Sequence, residues 1–176
     1  MEKFATWFFE VEQQMMLPDA RQFAYLGCIL EKNSQKHLLG IARKLYSEHT
    51  GSVIPKDWEY RAHHMTVKFK PQISDMQLYQ NLFGQPVELH IKGIAIDEFT
   101  IAAVIGTNIN MNSTPHITIA HSRSVSPVYS NGLVRSGKVL KVEGEVSLSS
   151  IFLAVKFDQT KVWPQTTINL ASLSLV

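Results

Sequence analysis

The chain has 176 residues, 45% of them apolar and 18% charged, with seven histidines, one cysteine and a formal charge of +2. That balance excludes a disulfide scaffold and a protein that wraps long nucleic acid by charge alone, and leaves room for one domain with a sizeable core. No run approaches about 18 uninterrupted apolar residues, so no membrane span is expected. The default reading is a soluble, cytoplasmic monomer.

Residues 1–22 read as an N-terminal extension in which 4–16 has the pattern of an amphipathic helix, broken by "LPD" at 17–19. Two glutamates inside it and the lack of a small-residue cleavage pattern argue against a signal peptide. Phe23 to Glu31 reads as a buried strand, with Cys28 a buried thiol within it. Ser34 is the expected N-cap of a helix to Ser47 that aligns Leu38, Ile41, Ala42 and Leu45 on one face. "HTGSVIPKDW" at 49–58 reads as a loop, and His64 to Lys70 alternates as a strand that Pro71 ends. Ser74 or Asp75 should cap a short helix through Leu82, stopped by Gly84 and Pro86.

In the second half, "VELHIKGIAID" and "FTIAAVIGTNI" are strand-like runs joined by a tight acidic turn, and "PHITIAHS" supplies a third strand. The segment 123–138 is rich in Ser, Gly, Pro and Asn and reads as loop or a single helical turn. Strands are expected at 139–147 and 150–157, followed by a C-terminal tail at 158–176. Strand, helix, strand, helix and then mainly strands predicts one α+β domain with antiparallel pairing.

One small pattern occurs twice: His64-Met65-Thr66-Val67 and His116-Ile117-Thr118-Ile119. Seven histidines and ten threonines in this length would place His-x-Thr together by chance only about 0.4 times, before any apolar residue is required after each member. Side chains two apart on a strand share a face. Thus His64, Thr66 and Lys68 lie on one face with Met65, Val67 and Phe69 on the other, and His116, Thr118 and Ala120 lie opposite Ile117 and Ile119. Each strand buries its apolar side and presents an imidazole beside a hydroxyl. The plain alternative is histidines placed for packing and threonines chosen for β-propensity.

Two such strands facing one cleft suit a phosphodiester. One neutral imidazole takes a proton from water, a protonated one gives a proton to the leaving oxygen, and the hydroxyls bond the phosphate oxygens, whose charge grows toward the transition state. Neither a metal nor another cofactor is needed for that scheme. Near the motifs, Lys68 and Arg123 are candidate phosphate contacts, and Tyr129, Trp58 or Tyr25 could stack on a base. His63 is expected on the opposite side of its strand from His64, which argues against a zinc site built from His63, His64, His116 and His121.

"HMTVKF" and "HITIA" resemble the paired signatures of the two-histidine (2H) phosphoesterases, a superfamily that includes RNA cyclic phosphodiesterases. "SPVYSNGL" is also similar to the loop after the second motif in some members. The resemblance spans roughly residues 23–157 in element order and rests specifically on the two motifs. It implies a bilobal fold, two pseudo-symmetric lobes of antiparallel sheet with flanking helices around a central cleft, the motifs lying on central strands. It further implies His64 and His116 as the acid/base pair, Thr66 and Thr118 as phosphate ligands, and a nucleotide or RNA end as substrate, most generally a 2′,3′-cyclic phosphate. Cyclic oligonucleotides or 2′–5′ oligoadenylate are the enzymatic alternatives. A nucleotide-binding module without turnover is the non-enzymatic one.

Overall fold

The structure, a computed structural model, describes residues 19–109 and 112–162. The expected N-terminal helix and most of the C-terminal tail lie outside the described residues. Nine strands form one sheet: β1 Phe23–Leu30, β2 Glu59–Tyr60, β3 His64–Phe69, β4 Pro86–Ile96, β5 Thr100–Gly106, β6 His116–His121, β7 Val139–Leu140, β8 Ser147–Lys156 and β9 Lys161–Val162. The hydrogen-bonded path runs β2-β6-β5-β4-β8-β1-β3, with β7 on β4 and β9 on β8. Every pairing is antiparallel. With helices α1 Lys32–Thr50, α2 Ile73–Leu78 and α3 Tyr129–Arg135, the chain is an α+β fold. No helix among the described residues is long and apolar enough to cross a membrane.

β1 is apolar along its whole length because it sits between β3 and β8 with all eight residues buried, so both its faces need apolar side chains. α1 buries Leu38, Ala42 and Tyr46, one stripe at helical spacing, into the main core with Met65 and Val67 of β3, Ile117 and Ile119 of β6, and Phe152 of β8. It begins before Ser34, which is not its cap. The Ser34 hydroxyl instead accepts the backbone N–H of Ser149 at 2.8 Å, a partner 115 residues away that no local rule anticipates. α2 starts from Gln72 through a capping box with Asp75 and gives way to a separate helical turn at Gln80–Leu82. The 139–147 strand is only two residues of β7, because a turn through Gly144 at φ 75° separates it from β8. At the other end, β9 returns part of the presumed tail to the sheet.

β3 and β6 stand near opposite ends of the hydrogen-bonded path, yet they touch without pairing, so the sheet curls until its ends meet. The resemblance implied central strands; here β3 ends the path and β6 is second from the other end. Residues 61–63 join them, since β2 pairs with β6 and the chain passes directly from β2 into β3.

The two motif strands also share a register. In β3, His64 faces Ile29, Met65 faces Cys28 and Thr66 faces Gly27, after which Val67 is skipped and Lys68 faces Leu26. In β6, His116 faces Val104, Ile117 faces Ala103 and Thr118 faces Ala102, after which Ile119 is skipped and Ala120 faces Ile101. Each strand therefore carries one extra residue directly after its threonine, a β-bulge at the same place in both motifs.

Candidate active site

Alternation along β3 and β6 puts both histidines and both threonines half-buried on one face while Met65, Val67, Ile117 and Ile119 fill the core. The exceptions lie past the bulges: Phe69, expected in the core, is 62% exposed, and Ala120, expected on the histidine face, is buried in the core with Ile117 and Ile119. Contact between the strands brings the histidines into one neighbourhood, and the charge of His116 is felt at His64.

His116 is fixed by a hydrogen bond: its Nδ1 donates to the Thr114 carbonyl oxygen at 2.8 Å. In the neutral ring the lone pair is then on Nε2. Burial lowers its pKa, the Thr114 carbonyl works the other way, and Arg135 adds to the lowering. His64 differs. Its Nδ1 is buried without a hydrogen-bond partner among the described residues, so no such bond sets its tautomer. Burial first, then the neighbouring charges of His63, Lys161, His116 and Arg61, push its pKa down to about 3. Its ring is held by stacking, with Tyr25 at 4.6 Å between centroids and 21° between planes.

His63 does not point away from His64. Its ring centre lies 4.5 Å from that of His64, because residue 63 precedes the strand and is not bound by its alternation. The Nδ1 of His63 donates to the Arg61 carbonyl. Arg61 is itself fixed to Glu59 at 2.6 Å and donates through Nε to His121 Nε2 at 3.5 Å. His121 is 3% exposed, and its Nδ1 donates to the Ser122 carbonyl at 2.9 Å, so it braces β2 against β6. Among the described residues no group of three or more His, Cys, Asp or Glu is placed to hold a metal ion.

The threonines are as unlike as the histidines. Thr118 Oγ1 lies 2.7 Å from Ser130 Oγ, and Ser130 donates to the Pro127 carbonyl at 2.6 Å. Ser130 has one proton, so Thr118 is the donor in that pair. The Thr66 hydroxyl has no hydrogen-bond partner among the described residues. It is the hydroxyl of the two that is not already engaged by another described residue.

Of the other candidates, Lys68 has its ammonium 3.5 Å from the buried Asp75, which occupies at least part of it. Arg123 is exposed in the turn after β6. Tyr129 packs edge-on against Phe99 at 5.8 Å, and the Asp97 carboxylate beside its hydroxyl raises its pKa. Trp58 is buried edge-on against Tyr46, a packing role. Sequence reasoning missed Arg135 and Lys161. The spacing of the buried Ser130, Leu133 and Val134 is the helical signal that could have found α3 and hence Arg135. Lys161 is placed by pairing with Val155, which nothing local announces.

The site thus offers two imidazoles from two strands, a free hydroxyl, a bonded hydroxyl and the flanking cations Arg61, Lys161 and Arg135. The three cations all work to lower the pKa of one or other imidazole, and an anion placed between them would reverse that effect. No protein-family model matches the chain, and no curated protein does.

Proposed function

We propose that the chain is a metal-independent phosphodiesterase of the two-histidine kind, acting on a nucleotide or RNA end, most generally by opening a 2′,3′-cyclic phosphate to a monoester. The observation that carries this reading is the duplicated unit: His-x-Thr, followed in both strands by a bulge, with the two units side by side. The same doubling supports two pseudo-symmetric halves, β8-β1-β3 and β4-β5-β6, facing a common cleft.

Burial lowers the pKa of both imidazoles and so favours their neutral forms. A bound phosphate diester would raise their pKa values by its charge. His116 accepts the extra proton more cheaply, because its Nδ1–H is already bonded and the new Nε2–H meets the substrate. Protonating His64 would leave a buried Nδ1–H unbonded. His116 is therefore the proton donor to the leaving oxygen, and neutral His64 takes the proton from the attacking water. Thr66 binds a non-bridging oxygen directly, whereas Thr118 must first give up its bond to Ser130.

The test is turnover in EDTA by wild type and His116→Ala on a 2′,3′-cyclic-phosphate RNA oligomer, 2′–5′ oligoadenylate and cyclic di- and trinucleotides. Histidine-dependent cleavage of the first is expected. Cleavage of another alone would move the substrate class, a divalent-metal requirement would remove the mechanism, and tight binding without cleavage would favour a binding module.

A further inference from the structure

His116 owes its orientation to a carbonyl on its own loop, and His64 has no counterpart of that bond. From the Tyr25 ring stacked on it, we infer that Tyr25 is the positioning residue for His64, with Gly27 supplying the clearance that lets the ring get there. The inference rests on the reading of His64 as the base.

Tyr25 pairs with Phe69, whereas His64 pairs with Ile29 four residues further along β1. The phenol must therefore lean forward along β1 toward Ile29, over position 27, to reach His64. A side chain there would crowd it: a Cβ on Gly27 would stand 2.7 Å from the Met65 backbone carbonyl oxygen, forcing a shift between β1 and β3, and 3.2 Å from two Tyr25 ring carbons. At the equivalent place in the other half, opposite Thr118, the residue is Ala102. The glycine belongs only to the half that needs the stack.

Tyr25 is itself held. It is 8% exposed in a small apolar cluster with Ala24, Ile29, Leu153 and Val155, and burial pushes its phenol up to about 12, so the ring stays neutral. The second neighbour of the imidazole is His63, tilted at 54° and tied to the Arg61 carbonyl. Among the described residues, the charged groups that act on His64 are His63, Lys161, His116 and Arg61, with no carboxylate among them. Stacking on a neutral ring orients the imidazole without supplying a charge or a hydrogen-bond acceptor; with Nδ1 buried, Nε2 is the nitrogen left for a substrate.

The experiment follows the ring resonances of His64 by NMR in the full-length chain, histidine-labelled, as wild type, Tyr25→Phe and Tyr25→Leu, alongside kcat and KM. In wild type and Tyr25→Phe, His64 should not titrate between about pH 5 and 8, and its ring protons should keep the upfield displacement of a stacked neighbour. In Tyr25→Leu that displacement should vanish and the titration move toward the ordinary imidazole range, with kcat down about tenfold or more and KM little changed. An unaltered His64 in folded Tyr25→Leu would overturn the inference. So would loss of the stacked signature in Tyr25→Phe, the variant that keeps the ring and disturbs folding least. If wild type cleaves no diester, the proposed function fails, but the resonances still report whether Tyr25 holds His64.

Discussion

The two halves of the site share a motif, a bulge and a register, but they hold their imidazoles by different forces. The His116 ring is set by a directed hydrogen bond to Thr114, and its hydroxyl partner Thr118 is wired through Ser130 to Pro127. The His64 ring lies stacked on Tyr25 with His63 tilted beside it, and Thr66 is unbonded among the described residues. A hydrogen bond fixes both orientation and tautomer. A stack fixes orientation and leaves the tautomer open, which suits a ring that must change its proton during a reaction. The difference makes the β6 half the pre-formed side and the β3 half the adaptable one.

Removal of either imidazole should have the largest effect. His116→Ala and His64→Ala should each lower kcat/KM by about 10²–10⁴-fold, the usual contribution of general acid–base catalysis, with the fold retained by circular dichroism. Exchanging the residues opposite the threonines comes next and separates the halves directly. Gly27→Ala should push both the Met65 backbone carbonyl and the Tyr25 ring away from position 27 and lower kcat about tenfold. Ala102→Gly should cost about 1 kcal/mol of stability by denaturant unfolding and leave kcat near wild type. An equal loss of activity in both would erase the distinction between the halves.

Ser130→Ala sharpens the comparison at the hydroxyls. It removes a buried bond worth about 1 kcal/mol and frees Thr118, so stability should fall while KM changes no more than a few-fold. The last effect is on the pH dependence of stability. His64 has a folded pKa of about 3, below its ordinary value of 6.5, so between these values the unfolded chain binds a proton that the folded chain refuses. Its contribution to stability is full above about pH 6.5 and is lost as pH falls toward 3, and His116 acts in the same direction. His64→Gln should flatten that acid limb in denaturant titrations. An unchanged slope would mean that His64 is not buried as described.

Much of this was legible because it depends on local period. The alternation of β3 and β6, the α+β order and the sharing of a face by each histidine and threonine all follow from residues two apart. What was not legible depends on partners far away in sequence. Ser34 has the chemistry of an N-cap but uses it on Ser149, and Lys68, placed by alternation with His64 and Thr66, meets Asp75. Tyr25 and His64 are 39 positions apart, and only the β1–β3 register makes them neighbours. Gly27 was the visible trace. A lone glycine in an apolar strand signals a bulge or a close approach, and here it marks both.

The central claim is that His64 and His116 act on one phosphate. The direct measurement is a double-mutant cycle of kcat/KM on a 2′,3′-cyclic-phosphate nucleotide, comparing wild type, His64→Ala, His116→Ala and the pair. If the two rings work in one displacement, the double variant should be scarcely worse than either single one. Losses that multiply independently, or a single variant that keeps its rate, would contradict the account.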